Sequence, residues 1–82
     1  MKREQVIDRL SAVLRDTFDD DNIDYSDDLT AADVDGWDSL SNIRLMVAVE
    51  NAFGTRFSNA EWEGLQKLGD LVYILTLRQA NS

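Results

Sequence analysis

The sequence contains no cysteine and no histidine. Without cysteine there is no disulfide framework, and the protein has no thiolate of its own. Without histidine it lacks the commonest general base and metal ligand, so it cannot build a Ser-His-Asp site or a zinc site. Basic residues are scarce as well: eight Lys and Arg stand against sixteen Asp and Glu, for a net charge of −8 at pH 7. A field of that sign disfavours nucleic-acid backbones and anionic membranes, and it favours basic protein partners steered in during encounter. No apolar run approaches membrane-spanning length, no basic-plus-apolar leader opens the chain and no segment alternates with strand period. These absences predict one soluble, cytoplasmic, monomeric domain over residues 1–82, with no nucleic-acid or membrane partner. At this length a domain is near the lower limit of what folds without staples.

What is present is helical periodicity. Val6, Ile7, Leu10, Val13, Leu14 and Phe18 recur at three- and four-residue steps and predict a first helix over 5–18. The most apolar run predicts a second helix from Asp38 or Ser39 to about Phe53, with Gly54 as a left-handed C-cap. In it Leu40, Ile43, Met46 and Val47 share one broad face, which Leu45, Val49, Ala52 and Phe53 widen. So wide a surface fits a central helix touching several neighbours, the plainer reading, or a helix that leaves part of itself to a partner. Ser58 and Glu61 form a capping box that opens a short third helix carrying Trp62 and halted near Gly64. Leu68, Leu71, Val72 and Leu75 give the stripe of a last helix over 68–79, flanked by Tyr73, Ile74 and Leu77, with Asn81 and Ser82 expected to fray. The fold class is all-α: a four-helix bundle of three long helices and one short, with a long loop between the first two.

That loop, residues 19–36, is dense in Asp, whose side chains compete for nearby backbone groups and oppose regular helix. Ile23, Tyr25 and Leu29 are its candidate anchors to the core, and Thr30 to Asp33 suit a single capped turn. A calcium loop fails on spacing. With Asp19 first and Asp21 third, the fifth ligand falls on Ile23 and the glycine position on Asp24. Placing Gly36 at the glycine position puts the first ligand on Ala31 and the last on Asn42. A solvated acidic surface accounts for the loop better.

The chain is organised around Gly36-Trp37-Asp38-Ser39-Leu40, where the acidic loop meets the apolar run. Ser39 falls in the first turn of the second helix with its hydroxyl exposed. The plain alternative is that Asp38 or Ser39 is there only as an N-cap.

Asp38-Ser39-Leu40 at a helix start, followed by Ile43, Leu45 and Glu50-Asn51-Ala52-Phe53-Gly54, resembles the acyl carrier proteins and their peptidyl carrier relatives. The stretch from Leu65 to Val72 is similar to the segment that opens the last helix in that family. The likeness runs from about Val6 to Arg78. It implies that Ser39 is esterified with 4′-phosphopantetheine, taken from coenzyme A by a separate phosphopantetheinyl transferase. It also implies that the thiol of that arm carries acyl intermediates as thioesters between acyl-loading and acyl-processing enzymes, and that Asp38, Leu40, Arg44 and Val47 are the residues partners recognise. An arm on a chain without cysteine would hold the only thiol, and an anion on Ser39 would sit at a helix N-terminus that favours it.

The sequence departs from the family pattern at two places. Ser41 and Arg44 stand where carriers of fatty acid synthesis are typically acidic, and Lys67 stands where the family usually has a Thr capping the last helix. The first departure tells against housekeeping fatty acid synthesis. The pattern Gly36-Trp37-Asp38-Ser39-Leu40 with Asn42-Ile43-Arg44-Leu45 more closely resembles free-standing carriers of specialised polyketide or nonribosomal peptide pathways. The second departure leaves the last helix without that cap. The rival reading of another class is a non-carrier acidic helical adaptor that binds through its second helix. An enzyme ranks below both, because no His, Cys or Gly-rich phosphate loop with paired acids is present.

Overall fold

The structure, a computed structural model, describes residues 2–80 and is all-helical. Among these residues there are four α-helices, α1 (Arg3–Phe18), α2 (Ser39–Phe53), α3 (Asn59–Glu63) and α4 (Leu68–Ala80), one 3-10 turn (Ala31–Asp33), and no strand. None of the helices is long and apolar enough to cross a membrane. Asn81 and Ser82, expected to fray, lie outside the described residues.

Local chemistry accounts for most helix ends. α1 starts at Arg3, ahead of the expected start at Gln5, because the Gln5 side chain reaches back and its Oε1 accepts from the Lys2 amide at 2.9 Å. It stops at Asp19, whose left-handed backbone (φ 50°) is one of the few conformations of this kind that a short polar side chain tolerates. Gly54 closes α2 at φ 62°, and the Gly54 and Thr55 amides both donate to the Glu50 carbonyl. The Ser58–Glu61 box is formed in both directions, each bond 3.1 Å long. Arg78 of α4 lies over the Phe57 ring, 4.6 Å from its centre, and pairs with Glu61, tying α3 to the last helix.

α1 packs against α2 and α4. Val6, Leu10 and Leu14 meet Leu45, Val49 and Phe53 of α2 and Leu68, Leu71, Val72 and Leu75 of α4 in one buried cluster that also holds Phe57 and Trp62. In α2 it is therefore the row Leu45, Val49, Phe53, at four-residue steps, that enters the core. The other apolar row stays open: Leu40, Ile43 and Val47 are 59%, 57% and 46% exposed.

The acidic loop is pinned at both ends. Ile23 and Val34 are buried, and Tyr25 and Leu29 pack against the core. The Arg15 guanidinium donates to the Ile23 carbonyl at 3.2 Å. At the far end the loop supplies the cap that Lys67 does not. The Leu68 amide donates to the Leu29 carbonyl and the Gly69 amide to the Asp27 carbonyl, both at 2.9 Å. The Asp27 carboxylate in turn accepts from Arg3 at 2.6 Å and from the Tyr25 hydroxyl.

Candidate functional site

A turn at Gly36 (φ 84°) delivers the chain into α2. Asp38, in extended conformation, is the N-cap: its Oδ1 accepts from the Ser41 amide at 2.8 Å, and its carbonyl accepts from the Asn42 amide at 2.9 Å. Ser39 is thus the first helical residue, and its own side chain is not needed to start the helix. It is exposed, and among the described residues its hydroxyl has no hydrogen-bond partner. A free hydroxyl at the positive end of a fifteen-residue helix is open to attachment and would hold an anion favourably.

Ser39 lies on the wall of a cleft of about 510 Å³. Leu29 of the loop, Leu65 of the α3–α4 connection, and Trp37, Asn42 and Trp62 share that wall. Trp37 leans on Phe18 with ring centres 5.2 Å apart, and Trp62 meets Phe57 edge-on at 5.5 Å. Both indole N–H groups donate to the same acceptor, Asn42 Oδ1, each at 3.1 Å.

The other residues singled out from the sequence divide between two roles. Leu40 and Val47 lie on the open row of α2, and Arg44 is exposed beside them without an ion-pair partner among the described residues. The Asp38 carboxylate is committed to the cap. Ile43, between Leu40 and Val47, shares their face, as the spacing indicates, and is exposed with them. In the sequence Trp37 and Asn42 are only motif positions and Trp62 only a residue of the short helix; no local spacing rule joins them, and the fold brings them together.

The Ser41 amide beside Asp38 holds its carboxyl below the ordinary carboxylate value. The Tyr25 hydroxyl does the same to Asp27, and the Ser58 amide to Glu61. A depressed native pKa contributes stability that is fully present above the unfolded value, near pH 4, and is lost as pH falls through the native one. Acidification below about pH 4 is therefore expected to lower the urea midpoint, and Asp38→Asn, which can still cap, should reduce that loss. Equal pH slopes for wild type and variant would remove Asp38 from the account.

No group of three or more acidic side chains placed to hold a metal ion occurs among the described residues. The chain matches no protein-family model, no curated protein and no solved structure.

Proposed function

We propose that this is a carrier protein, a small four-helix bundle whose Ser39 is the attachment point for 4′-phosphopantetheine. The observation that carries the reading is the Ser39 hydroxyl itself, exposed and unpartnered at the first position of α2, with Asp38 already serving as cap. The residues present fit the group. The orphan amides of the first helical turn suit a phosphodiester, and the adjoining cleft is half-apolar in its lining, as an arm with methyl and amide groups requires. Bound there, the arm supplies a thiol that holds an acyl group as a thioester. The chain's own part is to present the serine, keep its helix end fixed and offer a surface to the transferase and to the acyl-loading and acyl-processing enzymes. It turns nothing over by itself: the sequence has no His or Cys, and no charged side chain is buried among the described residues.

Incubation with coenzyme A and a promiscuous phosphopantetheinyl transferase, followed by intact mass measurement, tests the reading. One added phosphopantetheine is the expected result. An unchanged mass would leave the acidic adaptor as the better account.

The open row of α2 supports a specialised pathway over housekeeping fatty acid synthesis. Arg44 sits beside Leu40, Ile43 and Val47 and is the one basic residue of α2, in a chain of net charge −8. Charges at the rim of an interface act mainly on encounter rate and on discrimination between partners. Arg44→Glu is expected to slow processing by the cognate enzyme and to improve exchange with enzymes of fatty acid synthesis, with no change in melting temperature. Equal rates with both enzyme sets would reduce Arg44 to a surface residue whose stem covers its neighbours.

A further inference from the structure

We infer that Asn42 is the polar recognition group of the cleft beside Ser39, a donor that binds a carbonyl oxygen of whatever is attached there. The inference rests on the carrier reading and goes further, by naming the residue and the chemistry it selects. Three observations carry it.

The first concerns which end of the Asn42 amide faces which way. An indole N–H only donates, and Trp37 and Trp62 both direct theirs at one atom of Asn42, at 3.1 Å each. That atom must be the oxygen, because an NH2 group has no lone pair to offer. Its two lone pairs are then both engaged, and the orientation of the amide is fixed by chemistry.

The second concerns the other end. Among the described residues nothing accepts from the Asn42 NH2 group. Asn42 is half-buried, yet no fully buried side-chain nitrogen or oxygen is left without a partner among the described residues, so this nitrogen is not fully enclosed. The third is position. Asn42 lines the cleft together with Ser39, and three residues along a helix puts the two on neighbouring parts of one face. Two indoles clamp the amide oxygen of a residue that lines this mixed apolar and polar cleft beside the attachment point, and leave its pair of donors unused.

A donor held so firmly is suited to a carbonyl oxygen and has nothing to offer a saturated chain. The oxygen has two sources, an amide carbonyl of the arm or a carbonyl of the cargo. A polar group that must find a partner discriminates much more sharply than an apolar wall does.

The test uses ¹⁵N-labelled protein in three states after the mass gain has been confirmed: arm with free thiol, arm with a saturated acyl group, and arm with a 3-oxoacyl group. The Asn42 side-chain NH2 signals are expected to move downfield relative to the unloaded protein. Movement already present with the free thiol identifies the arm's amide carbonyl, and movement that begins only on acylation identifies the cargo. Asn42→Asp keeps the acceptor for both indoles and removes the donors. In the loaded wild type the attached group is expected to contact Trp62, which lines the same cleft. The unloaded variant should retain the two indole N–H signals, and the loaded variant should lose those Trp62 contacts. Asn42 signals that stay put in all three states, or Trp62 contacts that survive in Asn42→Asp, would overturn the inference while leaving the carrier reading intact. Failure to load at all would instead overturn the carrier reading, and this inference with it.

Discussion

Ser39→Ala is expected to take up no phosphopantetheine and to melt at the wild-type temperature. The two halves of that result have separate causes. Loading needs an alcohol oxygen at this position, and alanine has none, so the loss is complete. Stability is unaffected because the helix start depends on Asp38, whose carboxylate accepts from the Ser41 amide at 2.8 Å, and not on the exposed serine. Alanine at the first helical position is neutral in packing, and surface changes of this kind fall within about 0.5 kcal/mol. Asp38→Ala is the complementary experiment. Removing the cap costs about 1 kcal/mol, which in a domain of this size lowers the melting temperature by roughly 4–8 °C, yet the variant keeps its hydroxyl and should still load. A phosphopantetheine mass on Ser39→Ala would place the attachment elsewhere. A larger melting shift for Ser39→Ala than for Asp38→Ala would reverse the assignment of the cap.

The parts of the fold that were legible in the sequence are those governed by neighbours in the chain. The Gly54 cap, the Ser58–Glu61 box and the stripes of α1 and α4 depend on residues no more than one or two turns apart, and each is where the pattern put it. The burial of α2 was not legible. Both of its sides are apolar, and periodicity identifies apolar positions without saying which of them a neighbour will cover. Contact with α1 buries Leu45, Val49 and Phe53 and leaves Leu40, Ile43 and Val47 outside. The site divides in the same way. Ser39 at the helix start was readable from the motif. The Trp37–Asn42–Trp62 arrangement joins Asn42 to a residue five positions before it and one twenty after it through one amide oxygen, and only the tertiary fold assembles it. Lys67 suggested a missing cap on the last helix, but the amides there are satisfied by the carbonyls of Asp27 and Leu29. Every residue has a carbonyl, so no residue type advertises that role.

Gly69→Ala is expected to destabilise the protein by about 2 kcal/mol, against the direction that helix propensity alone would give. Alanine is favoured over glycine inside a helix by up to about 1 kcal/mol. Here a Cβ on residue 69 would come 2.9 Å from the Asp27 carbonyl oxygen, closer than real contacts allow, and 3.1 Å from the Asp27 Cβ, tighter than most. The oxygen it strikes is the one that accepts from the Gly69 amide. It belongs to backbone held by Arg3 and Tyr25 through the Asp27 carboxylate, so it cannot swing aside as a side-chain tip would. Overpacking of this kind costs about 1–3 kcal/mol. Pushing the loop away would also weaken the Gly69 and Leu68 bonds to Asp27 and Leu29, worth about 1 kcal/mol each. A net loss of about 2 kcal/mol is a large part of the stability of so small a domain and would lower its melting temperature by roughly 10 °C. Asp27→Ala separates the backbone contact from the side-chain one. It removes an exposed ion pair with Arg3 and the Tyr25 hydrogen bond but introduces no clash and leaves both carbonyl caps in place, so it should be the milder variant. Urea denaturation of the two variants, with hydrogen exchange at the Leu68 and Gly69 amides, decides the matter. Faster exchange at those amides in Gly69→Ala and near-normal exchange in Asp27→Ala are expected. A Gly69→Ala protein more stable than wild type would mean that the loop gives way freely and does not hold the start of α4.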